Sequence, residues 1–164
     1  MNHAIEIPAF LSHLKTYGGY PVPFTQLWTD SVPDFRAVDP ERVSQCVNEK
    51  LCAICGVTLG EFCYFIGSDL SKENHLFTDP PMHEQCADFA SKICPFVSGN
   101  REYSSRRIDE KVIRVEEMAS PVRPKQMYIL RTRTKKVGFV RVNDSTFIQA
   151  WIWSRVVEIK STNT

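Results

Sequence analysis

The most constraining feature of the chain is a set of four side chains able to ligate a metal. Cys52 and Cys55 stand in the run Cys-Ala-Ile-Cys-Gly, and His83 and Cys86 in the run His-Glu-Gln-Cys. A C-x2-C knuckle followed by glycine lets two thiolates turn onto one ion, because Gly56 tolerates the dihedrals that so tight a turn requires. A helix opening at Asp79-Pro80-Pro81 and running to Cys94, where Pro95 stops it, places His83 and Cys86 on one face of its first turn. There the helix dipole also favours a thiolate. The four groups form a Cys3His set, the donor set of a closed, structural Zn2+ site. Between the pairs lie 27 residues, 56–82, enough for a β-hairpin. Residues 61–67 read as an aromatic-rich strand, Asp69 to Glu73 as turn chemistry, and His75 to Thr78 as a returning strand. Knuckle, hairpin and helix are the layout of a treble clef. The competing reading is a cysteine-rich core beside a surface histidine, since cysteine is among the most buried residue types. His75 is the alternative fourth ligand, but Cys86 has its natural partner at i−3. Cys46 and Cys63 read as buried thiols, and Cys94 as a packing residue too far along the helix to join the same ion.

Six cysteines in so short a chain suggest disulfides only in an oxidising compartment. The start, MNHAIEIPAFLSHLK, carries Glu6 and Pro8 and no basic run followed by an apolar stretch, so it does not read as a secretory signal. No segment approaches the ~20 apolar residues of a membrane helix. The expectation is a cytoplasmic protein with no membrane contact, whose thiols are reduced or metal-bound.

The chain has 164 residues, 43% of them hydrophobic and 24% charged, which fits a single domain able to bury its own core. The expected class is α+β: short N-terminal helices, the zinc unit, and a C-terminal antiparallel sheet. Within 1–164 the segments are 1–50 (N-terminal helical), 51–97 (zinc unit), 98–125 (linker) and 126–160 (antiparallel β unit). Pro8 to Tyr17 reads as a helix halted by Gly18-Gly19. Phe24 to Trp28 suggests a strand, and Thr29 to Pro33 a turn. Asp39-Pro40-Glu41 is a helix start, with aspartate as cap and proline in the first position. Lys111 to Glu117 reads as a further strand. Met127–Thr134, Val137–Val142 and Phe147–Ile159 read as three antiparallel strands.

The net charge of +1 conceals a split: residues 1–100 carry six Lys and Arg against twelve Asp and Glu, and residues 101–141 twelve against five. A uniformly basic nucleic-acid coat is excluded, but a local basic face is not. Arg131 and Arg133 fall on one face of their strand, Lys135 and Lys136 in the turn, and Arg141 on the next strand. These five are the candidate surface for DNA, RNA or an acidic protein partner. Arg106, Arg107, Arg123 and Lys125 lie just upstream. Trp151 and Trp153 share a strand face that would stack bases if exposed. The two-sided apolar pattern around them favours the core.

The blocks GYPVPF from Gly19, PDFRAVDPE from Pro33, LCAICGVTLG from Leu51 and DPPMHEQCADFASKICPFV over 79–97 resemble a group of small bacterial and phage-associated proteins. These share the order GYPVP, DFR, CxxCGxxLG, PPxHxxCA, CPF. The resemblance covers roughly 19–97. It implies a shared site at Cys52, Cys55, His83 and Cys86 and a cytoplasmic setting in a bacterium or its phage, but no reaction and no substrate. Catalytic patterns are also missing from the residues: there is no glycine-rich phosphate loop, no G-x-S-x-G and no H-E-x-x-H. A nuclease of the HNH type would need His75 as general base and a second metal position, which Ala87 does not supply. Four protein ligands leave zinc no open position for water. The expected function is therefore a non-enzymatic, zinc-stabilised module that binds a macromolecule, a protein ahead of nucleic acid, with no small-molecule substrate.

Overall fold

A computed structural model describes residues 5–94 and 126–151, and the backbone of 154–159. It is mixed α and β with small antiparallel sheets. The expected helix over Pro8 to Tyr17 is reduced to one 3-10 turn, Ala9–Leu11, whose Leu11 is fully buried. So short a segment cannot repay helix nucleation, and its apolar residues are held by the core instead. Gly18 and Gly19, both at positive φ, do not stop a helix. They turn the chain between β1 (Thr16–Tyr17) and β2 (Tyr20–Pro21).

A second hairpin follows, β3 (Gln26–Thr29) against β4 (Val32–Val38). Asp30 and Ser31 at φ 49 and 66 form its two-residue turn, whose left-handed dihedrals match the strand twist. β4 is an addition to the expected elements. Its register jumps from Val38 opposite Gln26 to Asp34 opposite Leu27. The buried Gln26 amide closes that gap by donating to the carbonyls of Asp34 and Ala37. α1 (Pro40–Glu49) begins as expected, with the Asp39 carboxylate accepting from the Glu41 N–H at 2.9 Å.

β5 (Phe62–Ser68) alternates as a half-buried strand should, with Cys63, Phe65 and Gly67 inward. The turn expected after it is a short helix, α2 (Asp69–Asn74), capped by Ser68. β6 (Leu76–Phe77) follows, and α3 (Glu84–Ile93) begins four residues later than Pro80, leaving both prolines buried and outside the helix ahead of it. The C-terminal strands are β7 (Met127–Arg133), β8 (Val137–Val142), β9 (Ser145–Ala150) and β10 (Ser154–Ile159). The single strand expected over Phe147–Ile159 is thus two.

The pairings differ from expectation in one important respect. β5 and β6 do not form a hairpin: β5 lies along β7 over its whole length, from Phe62 opposite Arg133 to Ser68 opposite Met127, whereas β6 pairs with β9. The two larger sheets run β10-β7-β5 and β6-β9-β8. The expected three-stranded C-terminal unit is therefore divided between them, and each sheet takes a strand from the zinc block. Met127 to Leu130 are buried without alternation, as befits a central strand covered on both faces. Leu11, Val47, Phe65, Phe77, Leu130 and Ile148 meet in one core, where the Phe65 and Phe77 rings stack 4.3 Å apart. The expected strand at 111–117, the 98–125 linker and Trp153 lie outside the described residues. Among the described residues no helix is long and apolar enough to cross a membrane.

Candidate metal centre

The Cys52–Cys55 knuckle is a closed turn. The Gly56 N–H donates to the Cys52 carbonyl at 2.9 Å, and the Cys52 N–H to the Val57 carbonyl at 2.9 Å. Gly56 takes φ +73, and a Cβ there would lie 2.8 Å from the Phe24 ring. Glycine is thus required twice, for the dihedral and for the close approach. The knuckle is held from both sides. The Phe24 and Thr25 N–H groups donate to the Ile54 and Ala53 carbonyls, and the Ala53 N–H donates to Pro81 just ahead of α3.

That last bond brings the second ligand pair to the first. His83 is the N-cap of α3 in extended conformation, and Cys86 stands in the first turn. The ligand atoms of Cys52, Cys55, His83 and Cys86 all lie within 4.8 Å of one another. A tetrahedral ion with Zn–S near 2.3 Å separates its donors by about 3.8 Å, so only the wider pairs would have to draw in, since Cys55 Sγ and His83 Nδ1 already lie 3.3 Å apart. Among the described residues it is the one cluster of three or more such ligands.

The histidine is oriented for the task. Its Nδ1 faces the Cys55 sulfur at 3.3 Å, while Nε2 lies 3.1 Å from the Thr58 carbonyl. Donation from Nε2–H to Thr58 fixes the tautomer that leaves the Nδ1 lone pair free for an ion, the usual outer support of a metal-bound histidine. The His83 backbone N–H reaches the Cys52 sulfur at 3.4 Å, and His13 Nε2 reaches the Cys55 carbonyl at 2.8 Å. The thiols titrate as a group. Hydrogen bonds from the Cys52 and Cys86 thiols draw Cys55 well below an ordinary thiol, while contacts with the Cys52 and Cys55 sulfurs push Cys86 up. An ion held there would have to displace the protons of the remaining thiols. Soft, largely buried thiolates with one imidazole fit zinc and suit neither calcium nor magnesium.

The remaining cysteines behave as bulk. Cys46 and Cys63 are fully buried, and burial pushes their thiols up to about 12 and about 11. Cys94 is partly buried at the end of α3.

The basic residues are placed less simply. Arg131 and Arg133 do share a strand face, but both guanidinium groups sit over the Phe62 ring, at 4.8 and 5.3 Å, and Arg133 also pairs with Glu61. Lys135 and Lys136 are exposed in the 3-10 turn after β7, and Arg141 is exposed on β8 of the other sheet. Arg106, Arg107, Arg123 and Lys125 lie outside the described residues. Trp151 corrects an expectation: it is 57% exposed, its ring 5.0 Å from that of His75. Trp151 follows the inward pair Ile148 and Ala150 just past the end of β9, so alternation sends it to the opposite side of the chain. His75 is the left-handed cap of α2, with its carbonyl accepting from Ala150.

Sequence reasoning missed the supports contributed by main-chain groups, such as Thr58 and Pro81, because a carbonyl has no residue signature. It also missed the exposed aromatics Tyr17, Tyr20 and Trp28, although GYPVP, an extended run next to two glycines, marks the neighbourhood. No protein-family model, curated protein or solved structure matches the chain.

Proposed function

We propose that the chain is a non-enzymatic, zinc-stabilised module that binds a protein partner in the cytoplasm of a bacterium or of a phage-infected host, in the latter case as a phage protein acting on a host complex. One observation carries the zinc part of this reading: four ligand atoms converge within 4.8 Å, and a four-ligand site has no open position for a reacting water. His75, the residue a nuclease would need, caps a short helix against Trp151. A second three-ligand metal cluster to hold a scissile phosphate is absent among the described residues. A protein is favoured over nucleic acid because Arg131 and Arg133 are turned onto Phe62 and Glu61 of their own fold.

The test is a tagged chain recovered with about one zinc, whose stoichiometric protein partner survives nuclease treatment. The partner should be lost on chelation and in Cys86→Ser. Failure to retain any protein, with DNA or RNA retained in a steeply salt-dependent manner instead, would transfer the function to the nucleic-acid reading through Lys135, Lys136 and Arg141. Metal-dependent cleavage abolished by His75→Ala would establish the enzyme.

A further inference from the structure

β8 is an outer strand of the sheet β6-β9-β8. Val142 and Ser145 flank the two-residue turn between β8 and β9, so they exchange both main-chain hydrogen bonds. Alternation from that pair turns the N–H and C=O groups of Val137, Phe139 and Arg141 away from β9. Those of Val137 are occupied: its N–H donates to the Thr134 carbonyl, and its carbonyl accepts from the Lys50 ammonium at 2.7 Å. Among the described residues, nothing bonds the outward main-chain groups of Phe139 and Arg141. Their side chains are open as well: Arg141 is exposed, and Phe139 and Val142 are 42% and 39% exposed. An edge in this state is a template for a further strand.

The pattern of the edge also says which strand fits it. Consider β8 laid antiparallel along β8 of a second copy. With Phe139 opposite Phe139, Arg141 meets Val137, whose groups are already taken. With Arg141 opposite Arg141, like charges stand face to face, which is unfavourable. With Phe139 opposite Arg141, the outward groups of both residues are satisfied in both copies, each rung exchanging a pair of hydrogen bonds. Opposite residues share a face, so this register also sets the guanidinium of one copy beside the aromatic ring of the other. Continued beyond the strand ends, it brings the exposed Lys136 of one copy toward the exposed Asp144 of the other. Main chain, ring and charge are thus matched in the same register.

We infer that β8 pairs antiparallel with β8 of a second copy of the chain, Phe139 opposite Arg141, joining the two sheets edge to edge. The inference stands on the strand edge alone and does not depend on the protein partner proposed above.

The test is sedimentation of the zinc-loaded chain over a concentration series, in which a species of twice the chain mass should appear as concentration rises. Arg141→Pro removes an outward N–H and no bond to β9. It should weaken association at least tenfold while retaining one zinc per chain. At low ionic strength Lys136→Asp should also weaken association, and adding Asp144→Lys should restore it, which damage to folding would not do. The inference is overturned if the chain stays monomeric at millimolar concentration, if Arg141→Pro dimerises as well as the parent, or if the charge exchange restores nothing. A chain that stays monomeric, but whose captured partner is lost in Arg141→Pro, would overturn it too and give the edge to a strand of that partner.

Discussion

At the scale of single residues, the candidate metal centre depends on groups outside its four ligands. Gly56→Ala forces a side chain into φ +73 and sets a Cβ 2.8 Å from Phe24. Left-handed strain alone costs ~1–3 kcal/mol, and the ring must move as well. The expected result is a fall in thermal midpoint of the zinc-loaded chain, with Phe24→Leu in the same chain recovering the steric share only. A double-mutant cycle reads that coupling; strictly additive effects would show that the ring and the glycine are independent. His13→Ala removes the donor to the Cys55 carbonyl. Outer supports of this kind are worth about 10–100-fold in metal affinity, so chelator competition should show weaker zinc binding by roughly the lower figure. Unchanged affinity would mean that His13 merely rests on the knuckle.

At the scale of elements, local chemistry was legible and pairing was not. Asp39-Pro40-Glu41 announced α1 because capping is a contact between neighbours in sequence. The knuckle and its ligand spacing were legible for the same reason: turn dihedrals and a three-residue helical step are short-range facts. The N-terminal helix was misread because Phe10, Leu11 and Leu14 fit a helical face, and tertiary burial of Leu11 decided otherwise. The hairpin between the ligand pairs was misread because β5 and β6 each look like a strand, and nothing local says that their partners lie beyond residue 126. Adjacent strands usually pair, but β5 instead finds a seven-residue match in β7. The cap itself gives a direct test. Asp39→Ala should lower unfolding stability by about 1 kcal/mol, measured by urea denaturation, with zinc content unchanged; no change would mean that water replaces the carboxylate at the helix end.

At the scale of the whole molecule, alkaline titration separates what thiol burial contributes from what the Cys3His cluster contributes. Burial raises the Cys46 thiol to about 12 and the Cys63 thiol to about 11 from an ordinary value near 9. Both are neutral in the folded core and ionise more readily once unfolded. Their contribution is therefore complete below pH 9 and is lost as pH rises from there through the folded values. Urea midpoints taken from pH 8 to 11 should fall on the alkaline limb, and Cys63→Val should flatten that limb. A limb of unchanged slope in this variant would assign the loss to the metal ligands. The interleaved sheets make a stronger demand. A fragment ending at residue 94 keeps all four ligands, the knuckle and α3, but removes β7 from β5 and β9 from β6. Phe65 and Phe77 then lose the Leu130 and Ile148 side of their core. If the zinc unit were an independent treble clef, the fragment would bind zinc and unfold cooperatively. The strand order predicts instead that it binds zinc weakly and shows no cooperative thermal transition, and that adding residues 126–164 as a separate chain restores both. Restoration by complementation distinguishes missing strands from a merely damaged end, because only the strands can supply the ladder that β5 and β6 lack.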